Sequence, residues 1–438
     1  MPHAPKLPKR SWLVGAVNRG LSTIWKKGWL DHPQIDDDHL IDRISQETGL
    51  SDFGDDWFRR PLKKMVQALH EEARLNQLGA FVAEGQIKKV LRDRLWAQHW
   101  FDTHPEILQQ PLPRPVIVVG PMRSGTTRLH RLLASDERFA HMRFFEAVSP
   151  TPKPDFRHGE HDPRPLTAKR ILAAVHRANP RTAAIHPTAP MEPEEELGLL
   201  VASAWGMKHE AQWMIPSYGR WSEQQDATPA YQHLAKLLRL ISWARGDTAP
   251  RPWVLKTPQH MLDLPALLQT FPDARLIFIH RDPVRVVGSA CSLVWNQMII
   301  HSDHVKGGWV GREWLRKTGL QIDRMRSARD DISPSNMIDV HYSQMDSDWE
   351  QVMSRIYDFL AMDIGPALPA MRRYIHEATR QGKARSHHYQ LAAFGLDKRD
   401  VRERFSSYID DYDLAASKPP SRIQFSAPTV TGKRSPAL

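Results

Sequence analysis

The stretch Val116 to Leu133, VIVVGPMRSGTTRLHRLL, places an apolar run and a glycine ahead of four residues, a second glycine and two threonines. A helix-like apolar pattern follows. A glycine-bearing turn between a strand and a helix gathers backbone N–H groups around one point, and the helix N-terminus adds partial positive charge; together they bind an oxyanion. Gly120 permits the turn and Gly125 lets the backbone approach the anion. Ser124 keeps the loop small, Thr126 and Thr127 offer hydroxyls, and Arg123 reaches the anion from within the loop. A nucleoside-triphosphate loop carries a lysine after the second glycine; here Thr126 stands there. No apolar strand ends in the carboxylate that would hold magnesium. A P-loop kinase or NTPase is therefore the alternative reading rather than the first.

A second arrangement has the same logic. The apolar run Leu276 to Ile279 delivers Arg281 at its end, Asp282 and Pro283 open a helix, and Ser289 follows eight residues after the arginine. Such a pair can clamp a second phosphate, although Asp282 also suits a simple helix cap. The triplet within HRDP imitates a kinase catalytic loop, but the required asparagine and a DFG triplet are absent. The histidines in HGEHD lack further ligands at metal spacing and read as loop. No metal site is expected.

These residues need a scaffold that places strand ends side by side. Apolar runs at 116–119, 253–256, 275–280 and 337–342 read as buried parallel strands. Helices are predicted after them and at 126–134, 166–178, 194–206 and 229–245, with a proline- and histidine-rich loop at 149–165. The alternation predicts an α/β fold, a parallel doubly wound sheet with a P-loop-like phosphate loop. Residues 1–110 read as an N-terminal helical region packed on that core: Leu62, Met65, Val66 and Leu69, then Ile87, Val90, Leu91 and Leu95, recur at helical spacing. Residues 111–410 form the α/β domain, with one helical stretch near 398–409, and 411–438 form a tail.

With 438 residues and 41% hydrophobic content the chain supports a real core. The net charge of +10 favours an anionic partner. A nucleic-acid binder is the second alternative, resting on charge alone, since the aromatic and basic clustering of RNA modules is missing. The lone cysteine, Cys291, excludes an intrachain disulfide and fits a reducing compartment. No run approaches the ~18 apolar residues of a membrane span, so a cytoplasmic protein with no integral membrane segment is expected. The stretch STIWKKGWL reads as a solvated basic arm, with membrane contact as the alternative.

Taken together, VGPMRSGTTRLHRLL, HRDPVRVVGS and the intervening WVLKTPQHMLDL resemble the bacterial branch of the sulfotransferases that use 3′-phosphoadenosine 5′-phosphosulfate (PAPS), over roughly residues 48–410. The resemblance implies that Gly120, Arg123, Ser124, Gly125, Thr126 and Thr127 hold the 5′-phosphosulfate. Arg281 and Ser289 hold the 3′-phosphate, with Lys383, Arg385 and His387 laid across the nucleotide. The missing lysine is then explained, because the ligand is no triphosphate and needs no metal. Arg123 stands where cytosolic relatives use lysine. Sulfuryl transfer to a hydroxyl or amine asks for in-line placement, charge stabilisation and a base. Lys256, at a strand end, is the candidate for the leaving oxygen. Glu146 is the first candidate base, by analogy with other branches, and His260 the second. The acidic run Glu194 to Glu196 reads as the first turn of a helix. The segment 149–225 is expected to cover the acceptor side; lipid, glycan and small-metabolite acceptors stay open, as does a homodimer.

Overall fold

The computed structural model describes residues 7–185, 187–247, 249–380 and 390–415. Among them, five short strands form one parallel sheet. They are β1 (Val116–Val119), β2 (Ala140–His141), β3 (Trp253–Lys256), β4 (Arg275–His280) and β5 (Met337–His341), in the spatial order β2-β3-β1-β4-β5. Ile117 of β1 sits between Leu255 and Leu276 of its two neighbours.

The continuous apolar runs exist because both faces of this sheet are covered. Side chains alternate across a strand. Val116 and Val118 accordingly pack with Leu129, Leu132, Val352, Met353 and Ile356 from the helices Thr126–Ala134 and Trp349–Leu360. Ile117 and Val119 enter the opposite layer, with Leu234, Leu237, Val287 and Cys291 from the helices Thr228–Arg245 and Pro283–His301. Each such buried aliphatic side chain contributes roughly 1.5–3 kcal/mol. Burial in that layer pushes the Cys291 thiol up to about 12.

The N-terminal helices Asp37–Thr48, Arg59–Glu71 and Gln77–Thr103 pack around Leu40, Ile44, Leu62, Met65, Leu69, Ile87 and Leu91. Asn76 caps the longest of them and also donates to the Ile300 carbonyl at 3.1 Å. Gly79 is needed at that crossing, because a Cβ there would lie 2.2 Å from the His301 carbonyl oxygen. The far end of the same helix delivers Trp100 and Phe101 into the layer that holds Ile117 and Val119.

The α/β architecture and the main strands follow the sequence reading; among the local differences, two bear on the site. Strand β2 was not anticipated, since two residues carry no periodic signal. The helix expected over 194–206 is reduced to Leu197–Val201. Its predicted first turn is drawn out as extended chain: Pro193 bridges Arg143, the Glu194 N–H donates to the Met142 carbonyl, and the Glu196 carboxylate accepts from the Lys256 N–H. Left-handed backbone at Ala204 and Gly206 ends the helical segment on its other side.

Candidate active site

Three strand ends meet at one crevice. The chain leaves β1, travels out to β2 and β3 on one side, and returns to β4 on the other, so the C-terminal end of β1 is the switch point where ligands bind in such sheets. The phosphate loop follows β1, Lys256 ends β3, and Arg281 follows β4.

The loop is tight for identifiable reasons. Gly120 has no room for a side chain, since a Cβ would lie 2.6 Å from Ile279 Cγ2 and 2.8 Å from Ser124 Oγ. Gly125 has φ +100° and lies against the ring of Tyr342, 2.3 Å from where a Cβ would stand. Arg123 also adopts a left-handed conformation, φ 72°, which an arginine takes only under constraint. Its Nε donates to Ser289 Oγ at 3.0 Å, and its carbonyl accepts from Arg281 Nη1 at 2.8 Å. The Arg281 guanidinium lies over the Tyr342 ring, 3.8 Å from its centre. The two predicted anion sites thus share one wall. Ser124 is fully buried and its hydroxyl has no partner within the protein. That open hydroxyl beside glycines too crowded for any side chain suits a phosphate oxygen. An α-helix also leaves its first N–H groups without intrahelical acceptors, and Thr126–Ala134 presents them at the end of the loop. Asp282 does cap its helix, accepting from the Val284 N–H at 2.9 Å.

Lys256 is buried, and its Nζ donates to Thr127 Oγ1 at 3.2 Å and to the Glu195 carboxylate. Behind it lies a closed chain of contacts. Glu196 accepts from the Lys256 N–H at 2.8 Å and pairs with His260 Nε2 at 2.5 Å; His260 Nδ1 meets the Tyr231 hydroxyl at 2.9 Å. Burial pushes Glu196 up, but the His260 hydrogen bond and charge and the Lys256 N–H together hold it below the usual carboxylate range. Burial drives the Tyr231 phenol well above its ordinary range, so it keeps its proton.

Two of the candidate bases are enclosed. Glu146 caps the helix Phe144–Val148 through the Arg143 N–H at 2.7 Å and is gripped by Arg245, whose Nε donates to it at 2.8 Å. It is 1% exposed with both oxygens engaged. His260 is 0% exposed with both ring nitrogens engaged. Neither presents a free basic atom to the crevice. Glu195 does: its side chain keeps 19% exposure beside Lys256 and Thr127. Its signal in the sequence was the PEEE run, where helix-start electrostatics explained the charge equally well. Tyr231 and Tyr342 had no signal at all. Lys383, Arg385 and His387 lie outside the described residues.

If Glu146 is structural, Glu146→Gln is expected to lower stability by about 1–3 kcal/mol while changing kcat less than about threefold. Thermal unfolding and initial rates on the folded fraction check this; a large kcat loss with unchanged stability would return Glu146 to the chemistry.

Residues 115–366 match the model of the sulfotransferase family. A curated relative, the omega-hydroxy-beta-dihydromenaquinone-9 sulfotransferase of Mycobacterium bovis, is 24% identical over 336 residues, covering 73% of this chain and 79% of its own length. Among solved structures, sulfotransferase STF1 of Mycobacterium tuberculosis H37Rv superposes with a TM-score of 0.73 at 30% identity, covering 84% of this chain and 98% of its own. Sulfotransferase STF9 of Mycobacterium avium gives a TM-score of 0.77 at 26% identity, over 87% and 98%. With the family match running from the foot of β1 past β5, and whole solved sulfotransferases overlying the fold, this chain belongs to the sulfotransferase family and is a sulfuryl-transfer enzyme.

Proposed function

We propose that the enzyme uses PAPS as donor and an alcohol as acceptor, in a single in-line displacement that needs no metal. The observation that carries the donor reading is the joining of the two anion sites: Arg281 and Ser289 both bond to Arg123, one through its carbonyl and one through its side chain. A nucleotide with a 5′-phosphosulfate and a separate 3′-phosphate asks for two anion sites on neighbouring strands. Gly120, Ser124, Gly125, Thr126, Thr127 and the Arg123 guanidinium would hold the phosphosulfate; Arg281 and Ser289 would hold the 3′-phosphate. Bound there, PAPS supplies the sulfuryl group and the 5′-phosphate leaving group.

Lys256 stabilises charge on the leaving phosphate oxygen. Glu195 takes the proton of the acceptor hydroxyl as its oxygen bonds to sulfur and the bond from sulfur to the phosphate oxygen breaks. Glu196, His260 and Tyr231 orient the end of β3 so that Lys256 stays aimed at the loop. The preference for an alcohol is supported by the curated relative, whose name specifies an omega-hydroxy acceptor.

Calorimetric titration with 3′,5′-adenosine bisphosphate tests the donor reading. Binding is expected without magnesium, and Arg281→Ala is expected to weaken it by about ten- to a hundredfold, the loss of one charge-assisted contact. Binding of ATP with magnesium in place of the bisphosphate would restore the kinase or NTPase reading; salt-sensitive retention of RNA that the bisphosphate fails to displace would restore the nucleic-acid reading.

A further inference from the structure

Among the described residues, ten large apolar side chains are substantially exposed, and eight of them fall in just two segments: Trp12, Val17, Trp29 and Leu30, and Leu166, Ile171, Val175 and Met191. Singly exposed apolar residues are ordinary; their concentration in two segments calls for a cause. Those segments share a second property. Residues 7–30 contain Lys9, Arg10, Arg19, Lys26 and Lys27 and no acidic residue, and residues 163–191 contain Arg164, Lys169, Arg170, Arg177 and Arg181 and again none; Arg10 and Arg164 are paired with Asp303 and Asp162 and do not count toward the face. In a chain with 50 acidic residues among 438, two acid-free stretches that also hold most of the exposed apolar surface form a distinct chemical face.

The fold brings the two together. The helix Trp12–Lys26 is anchored from below: Val14, Asn18 and Trp25 are its buried residues, and Asn18 accepts from the Leu78 N–H at 2.8 Å. Trp12, at 79% exposure, and Val17 lie on its exposed side. The helix Arg164–Ala178 contacts it and has only Ala168 fully buried along 15 residues. A helix that buried its apolar stripe in the core would bury far more than that. The second segment ends at Met191, four residues before Glu195, on the strip of chain that hydrogen-bonds the helix Phe144–Val148.

We propose that these two helices form a docking face for the interfacial region of a bilayer containing anionic lipid. Tryptophan and aliphatic side chains that are costly to hold in water settle at the headgroup boundary, and lysine and arginine meet the negative surface while their stems cover apolar area. A second copy of the chain fits this face poorly, because it would set basic residues against basic residues. A nucleic acid would meet the charge and leave the aliphatic side chains in water. Docking in this way holds the approach to Glu195 near the membrane surface, where an amphiphilic alcohol presents its hydroxyl.

The test is sedimentation of the full chain with phosphatidylcholine vesicles, with and without phosphatidylglycerol. Binding is expected only with the anionic lipid. It is expected to fall about tenfold or more in the double variant Trp12→Glu, Ile171→Glu and to weaken with added salt. The same variant is expected to keep wild-type thermal stability and wild-type affinity for 3′,5′-adenosine bisphosphate. Equal vesicle binding by wild type and variant, or none by wild type, overturns the proposal. So does a wild-type dimer in solution that the variant splits, since a second copy would then occupy the face. Failure to bind the bisphosphate would count against the donor reading and leave the vesicle result standing.

Discussion

Glu195→Gln is expected to lower kcat by about 10²–10⁴-fold, the range for a positioned base, with KM for the donor changed little. Exposure separates the four candidates Glu146, Glu195, Glu196 and His260. Glu146 and Glu196 are 1% exposed and His260 is 0% exposed, each with its polar atoms engaged by neighbours. Glu195 alone of the four combines access with contact to the site, through Lys256 and, one step on, Thr127. Glutamine keeps the shape and a hydrogen-bonding oxygen for Lys256, so thermal stability is expected to stay within a few degrees. Glu195→Asp is expected to retain part of the rate. A glutamine variant with near wild-type kcat would sink this assignment.

The second large effect concerns Lys256. Lys256→Met is expected to cost about 10²–10³-fold in kcat, the size of losing one preorganised donor to developing charge. Affinity for 3′,5′-adenosine bisphosphate is expected to fall far less, because Arg281 and Ser289 still hold the second phosphate. Lys256 ends β3 beside the buried Val118 of β1 and is itself 1% exposed, so its side chain cannot relax into water and is held toward the loop through Thr127. In the resting enzyme that charge is shared with Glu195. The double variant is therefore expected to be much less impaired than the product of the two single losses, as residues acting as a unit are non-additive. Full additivity in the rates would mean that the ion pair has no part in the chemistry.

Much of this was legible before any coordinates. VIVV, WVLK and RLIFIH are continuous apolar runs that only a doubly covered sheet explains, and GPMRSGTT announces an anion by local geometry. The Arg281 and Ser289 pair was legible because a helix fixes the spacing of eight residues. Those are short-range properties, carried by neighbours in the chain.

What the sequence left open was the choice among carboxylates. PEEE looks like the acidic first turn of a helix, and in isolation it would be one. Tertiary structure drew it out instead, because Pro193 pairs with Arg143 and Glu196 supplies the acceptor that the Lys256 N–H needs. Glu146 looked free until Arg245, ninety-nine residues away, closed on it. The amino-acid order alone thus decided the sheet, the loop and the family resemblance, since periodicity and turn chemistry act over a few residues. Which glutamate faces the crevice, how Arg123 joins two anion sites, and that two acid-free helices lie side by side were decided only on folding. Burial and ion pairing depend on partners scores to hundreds of residues distant, and no local pattern encodes them.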